Sequence, residues 1–152
     1  MPIAYGIDSE RRLVVASPFG TLTDQDIFGY QREVWSRPEV AGFDELVDMT
    51  DVERIDLPSP QRVIDLAELS ASMDTRPEGV AAAPRMAIVA PTDVAFGLGR
   101  MYQAYRRMKS QGTPRHVGVF RTLPEALGFL GIEEGSAEAD RVLGLARNRN
   151  LR

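Results

Sequence analysis

Residues 86–90 read Met-Ala-Ile-Val-Ala and are closed by Pro91. An apolar run of this kind, with no polar face and a breaker at its end, is a strand at the centre of a sheet. The chain is therefore organised around one buried strand, and the remaining sequence must supply its neighbours. A long helix follows at once. Thr92 or Asp93 caps it, helical spacing carries it to about Ser110, and Gly112 and Pro114 close it.

The other elements have their own signals. Ile3, Tyr5 and Ile7 alternate, a polar turn spans residues 8–11, and Leu13-Val14-Val15-Ala16 follows, which reads as a β-hairpin ended by Pro18 and Gly20. Thr23 caps a helix whose first turn carries Asp24 and Asp26, favourable at the positive end of the helix dipole. Ile27, Tyr30 and Val34 share its inner face, with Phe28 and Trp35 flanking, and Pro38 stops it. Leu46-Val47-Asp48-Met49 is a short buried strand. Ser59-Pro60 starts a helix, with serine as cap and proline in the first turn. Val63, Leu66, Ala67 and Ser70 carry that helix to about Met73. Residues 75–84 hold Pro77, Gly79 and Pro84 and read as a loop. Residues 116–120 form the last strand. Thr122-Leu-Pro-Glu125 is a capping box opening a short helix, and Gly131 is its C-terminal cap. Strands alternating with helices imply a mostly parallel sheet with right-handed crossovers, and the opening hairpin adds one antiparallel pair.

Composition narrows the chemistry. The 152 residues suit one domain, and 43% apolar with 26% charged residues is ordinary for a globule. Without cysteine there is no disulfide, thiolate nucleophile or thiolate metal site. The start Met1-Pro2-Ile3-Ala4 lacks the pattern of a secretory signal, and no stretch has the length of a membrane span, so a cytoplasmic location is expected. A net charge of −4 argues against nucleic-acid binding.

Two segments and the chain ending resemble a known family. Glu45-Leu-Val-Asp-Met-Thr-Asp-Val-Glu-Arg-Ile-Asp56 resembles the central strand–loop–helix of STAS domains, the domains of anti-sigma-factor antagonists. Met86-Ala-Ile-Val-Ala-Pro-Thr-Asp-Val-Ala-Phe-Gly-Leu-Gly-Arg-Met-Tyr102 is similar to a stand-alone SpoIIAA-like bacterial branch, as is Val119-Phe120-Arg121 with Glu125-Ala126-Leu127 and Leu130. The resemblance implies a SpoIIAA-like (STAS-like) α/β domain over residues 1–132, with a mixed sheet of about five strands and helices mainly on one face. Residues 133–152 would be a C-terminal helix or partly disordered tail: Ala139, Val142, Leu143 and Ala146 share a helical face, and Arg141, Arg147, Arg149 and Arg152 gather there. That segment is read either as solvated or as docking on a second subunit. The family switches by phosphorylation of a serine after the strand. Asp56 matches that motif, but Leu57 stands at the serine position, and Ser59 lies two places on as a helix cap.

Candidate site residues fall into two groups. Asp48, Asp51, Glu53 and Asp56 place four carboxylates within nine residues and, with Ser59, mark a ligand or regulatory site near a strand end; they lack calcium-loop spacing, and no metal or cofactor is expected. On the long helix, Val94, Leu98, Met101, Tyr102, Tyr105 and Met108 form the core stripe, with Gly97 at its edge allowing close approach to the sheet. The opposite face carries Phe96, Arg100, Gln103 and Arg107, residue types enriched where proteins meet. His116 is a lone histidine without a nucleophile motif. The leading expectation is a non-catalytic regulatory or protein-interaction module, with a protein partner or a homodimer. The alternatives are a carrier of a small apolar molecule or lipid, suggested by Met73 and the segment 81–86, and an enzyme using Asp56 or His116.

Overall fold

The structure is a computed structural model and describes residues 3–74, 83–109 and 115–147. The expected loop around Pro77 and Gly79, the stop at Gly112 and Pro114, and Arg149 and Arg152 lie outside the described residues. The elements run β1 (Ile3–Asp8), β2 (Leu13–Thr23), α1 (Asp24–Trp35), a 3-10 turn (Pro38–Val40), β3 (Asp44–Asp48), β4 (Asp51–Asp56) and α2 (Gln61–Ser72), then β5 (Arg85–Val89), α3 (Asp93–Lys109), β6 (His116–Phe120), α4 (Leu123–Phe129) and α5 (Ala137–Arg147).

One mixed sheet is ordered β1-β2-β3-β5-β6, with β4 also paired to β2. β5, the apolar run, is central as expected, between β3 and β6 and parallel to both. The opening hairpin is antiparallel. Asp8 Oδ1 shapes its turn by accepting the Glu10 and Arg11 amides, each at 3.1 Å.

Two strand boundaries differ from the sequence reading. β2 does not end at Pro18 and Gly20 but runs on to Thr23. Pro18 closes the pairing with β1. The register then shifts between Gly20 and Thr21, and the strand pairs with β4 instead. The carboxylate segment is itself that sixth strand rather than a loop. β3 and β4 follow one another along β2, broken at Met49 and Thr50. Only Val52 and Ile55 of β4 are half-buried, so the main-chain ladder, not an apolar pattern, makes the strand.

Alternation sorts the core between the two faces of the sheet. Leu13, Val15, Leu46, Ala87 and Val89 pack against α4 and α5. Val14 and Ala16 pack against α1, and Met86 and Ile88 pack against α2 and α3. Three helices therefore share one face and two cover the other. Within residues 133–152 the helical reading holds as α5: Ser136 Oγ caps it through the Ala139 amide at 3.0 Å. Ala139 and Val142 are buried, and Arg141 Nε lies 2.9 Å from Asp8 Oδ2. This helix thus docks on the chain's own sheet.

The caps divide. Thr23 and Asp26 form a reciprocal capping box. Gly131 closes α4 at φ 77, with the Ile132 amide reaching Leu127 O at 2.9 Å and the Gly131 amide reaching Gly128 O at 3.1 Å. Thr92 Oγ1 accepts the Ala95 amide at 3.2 Å. Ser59 does not cap α2: the N-cap is Pro60, and Ser59 offers only its carbonyl to the Arg62 amide. Thr122 also fails as a side-chain cap: its hydroxyl accepts no first-turn amide and donates to Glu125 Oε1 at 2.7 Å.

α3 is rotated from the expected stripe. Its buried positions are Ala95, Gly99, Tyr102 and Arg106, while Val94 and Met108 are 64% and 73% exposed. Gly99, not Gly97, meets the sheet: a Cβ there would sit 2.9 Å from Val119 Cγ1, whereas Gly97 faces open space.

Candidate functional site

The small residues that bring α3 close to the sheet leave room beside it. A cavity of about 130 Å³ lies between the sheet and helices α1, α2 and α3. Its floor is Ala16, Val47, Met86 and Ile88. α1 contributes Ile27 and Phe28, α2 contributes Val63 and Leu66, and α3 contributes Ala95 and Leu98. Leu22, Met49, Ile55 and Leu57 also line it, so β4 and the residues around it help to wall the site.

Arg62 of α2 bridges to α1. Its Nε lies 2.8 Å from Asp24 Oδ2, its Nη1 lies 3.1 Å from Asp65 Oδ2, and its guanidinium stacks 4.2 Å from the Phe28 ring. Asp24, Phe28 and Arg62 all line the cavity.

One wall is polar. Glu45 on β3 is 5% exposed and faces the cavity. Its Oε2 accepts the Tyr30 hydroxyl at 2.7 Å and the Trp35 indole N–H at 3.2 Å. Burial pushes the Glu45 carboxyl up; the nearby Arg115 charge and these two donors offset that only in part. Burial and the Glu45 charge together push the Tyr30 hydroxyl well up, so it stays a donor. Arg115 stacks 4.6 Å from the Trp35 ring and donates to Phe43 O at 2.9 Å.

A second buried charge cluster adjoins the first. Arg106 is 2% exposed, and its two terminal nitrogens each lie 2.8 Å from an oxygen of Asp74. Its Nε donates to the Tyr102 hydroxyl at 3.1 Å, and Tyr102 also lines the cavity. Arg115 Nε is 3.8 Å from the same Asp74.

The residues singled out in the sequence are not gathered into this site. Asp51, Glu53 and Asp56 are exposed along β4, Asp48 accepts the Thr50 amide at 3.1 Å, and Ser59 is exposed. Among the described residues no three histidine or acidic side chains come together in a metal-holding group. Leu57, at the position of the family's serine, is half-buried against the cavity. On α3, Arg100 and Arg107 are exposed. Phe96 is half-buried beneath Arg121, whose guanidinium lies 4.2 Å from its ring. Gln103 Nε2 donates to Val117 O at 2.7 Å. His116 is exposed at the start of β6 and Asp56 at the end of β4. Because the strands run parallel, those two positions lie at opposite strand ends of the sheet.

Glu45, Tyr30, Asp74, Arg106 and Arg115 were not singled out in the sequence. For Glu45 a signal existed: the period of two through Glu45, Val47 and Met49 places all three on one face.

The structure contains no helix long and apolar enough to cross a membrane among the described residues. No protein-family model and no curated protein matches the chain. A solved structure does: an uncharacterized protein of the DUF3478 family from Shewanella loihica, with a SpoIIAA-like fold. It is 17% identical, with a TM-score of 0.52, over 84% of this chain and 93% of that one. Likeness at that identity speaks for architecture alone, and with the sheet order and helix placement above it gives the conclusion that this chain has a SpoIIAA-like α/β fold.

Proposed function

We propose that the domain is a non-catalytic binding module that takes one small apolar molecule into a partly open cavity between its sheet and helices α1 to α3. The observation carrying this reading is the apolar cavity of about 130 Å³. An engineered apolar cavity of roughly 150 Å³ stays dry and takes up benzene, so the scale here is a single ring or a short branched chain. Six buried carbons at about 0.8 kcal/mol each give about 5 kcal/mol, a Kd on the order of 0.3 mM for an unadorned ring. Titrating methyl-labelled protein with benzene tests this. Saturable shifts at Ile55, Val63, Leu66 and Ile88 are expected; their absence up to the solubility of benzene would overturn the reading.

A second reading is docking of a protein partner, a second copy included, on α3. It is favoured by Val94 and Met108, the two exposed large apolar side chains among the described residues, both on that helix. Arg100 and Arg107 would flank the contact. Light scattering at several concentrations tests self-association: a dimer lost in Met108→Glu supports it, and a monomeric wild type rejects it.

A further inference from the structure

The cavity is mostly apolar, and the Glu45 carboxylate that enters it is unevenly served. Both protein donors, Tyr30 and Trp35, go to Oε2. Among the described residues Oε1 receives none. Oε1 is open to water from the cavity, and a ligand that displaces that water without supplying a donor leaves the oxygen bare, which is costly.

The position is rigid as well as needy. Glu45 pairs with Val14 on one side and Met86 on the other, in the middle of the parallel sheet. The other polar side chains lining the cavity each have at least one partner. The Tyr30 hydroxyl is spent on Glu45, Gln31 Nε2 contacts Met73 Sδ at 3.7 Å, and the Tyr102 oxygen accepts Arg106 Nε at 3.1 Å. Arg62, a cation lining the cavity, is held by Asp24 and Asp65. An anionic head would meet Glu45 and Asp24 and find Arg62, the cation among the lining residues, already paired.

We propose that the cavity selects a ring-sized apolar molecule carrying a hydrogen-bond-donor head, a hydroxyl or the ammonium of an amine, whose hydrogen is accepted by Glu45 Oε1. This rests on the cavity reading above and specifies the chemistry of its ligand. Selectivity follows from pairing: a donor head satisfies Oε1, a hydrocarbon of the same shape leaves it bare, and a carboxylate opposes it.

Trp35 supplies the readout. It is the single tryptophan and its indole N–H sits on Glu45 Oε2, so its emission reports changes at the carboxylate. The experiment titrates wild-type protein with cyclohexanol, cyclohexylamine, methylcyclohexane and cyclohexanecarboxylate, following Trp35 emission and the methyl shifts of lining residues. Cyclohexanol and cyclohexylamine should bind about 10-fold to 100-fold tighter than methylcyclohexane, the worth of a hydrogen bond to a charged acceptor. Cyclohexanecarboxylate should bind weakest. In Glu45→Gln the preference should shrink to a few-fold, the worth of a neutral hydrogen bond. Methylcyclohexane binding as tightly as cyclohexanol, or the carboxylate binding tightest, would overturn the selectivity and leave the cavity reading standing. No binding by any of the four would remove both.

Discussion

Replacing Asp74 with alanine should destabilise the fold more than replacing its partner Arg106 with methionine. The pair is unequal in its access to water: the Arg106 side chain is 2% exposed and that of Asp74 is 24% exposed. Burial alone would lower the Arg106 pKa, but Asp74 and Tyr102 outweigh it and hold the guanidinium above its ordinary value, so it stays charged. Asp74→Ala removes the carboxylate from that buried cation and from Arg115, whose side chain is 7% exposed. Breaking a buried pair so that charge stays behind costs about 3–5 kcal/mol. In Arg106→Met the charge left behind is the one that reaches water, and methionine retains much of the buried stem, so about 1–3 kcal/mol is expected. Urea unfolding of wild type, both single variants and the double variant closes the cycle. The two residues should couple by about 1–3 kcal/mol, so the double variant should fall short of the sum by that amount. A larger loss in Arg106→Met, or additivity within about 0.5 kcal/mol, would refute this account of the buried charges.

Other consequences are checked by the same unfolding measurements. Ala16→Leu grows a floor residue into the cavity and should stabilise by up to about 2 kcal/mol while abolishing benzene shifts; a filled interior would instead lose about 1–3 kcal/mol. Gly97→Ala should be neutral or stabilising by up to about 1 kcal/mol, whereas Gly99→Ala should cost about 1–3 kcal/mol against Val119. Equal effects would contradict the orientation of α3. The raised Glu45 carboxyl favours the folded state below its unfolded value of 4.5 and loses that contribution as pH rises through its higher folded value. The stability of Glu45→Gln relative to wild type should therefore increase from pH 4.5 toward neutrality. Asp8 works in the other direction. Burial raises it, but the Arg11 amide and Arg141 outweigh that and hold it below 3.8, so its contribution fades as pH falls through its lowered value.

The sheet was legible where side-chain pattern and backbone agree. The apolar run at β5, the hairpin and the Thr23 cap each state their structure locally, and all three stand. β4 was not legible because its ladder to β2 is made by main-chain groups, while its side chains read as a solvated acidic loop. The face of α3 was misread for a related reason. Its innermost positions are small, as at Ala95 and Gly99, or charged, as at Arg106, so the large apolar residues marked the flank of the helix rather than its centre. Arg106 is admitted to the interior by Asp74, 32 residues away in the chain, and no local signal carries that pairing. Glu45 is a different case: alternation with Val47 and Met49 marks its inward position, but not its partners Tyr30 and Trp35 on another element. The cavity itself is a spacing between helices and sheet, which no single residue encodes.

The apolar cavity is tested most directly by diffraction from crystals held under xenon pressure. Xenon density is predicted among Leu22, Met49, Ile88 and Leu98, where the cavity lies. Side chains closing that space, with no xenon between the sheet and α1 to α3, would contradict it.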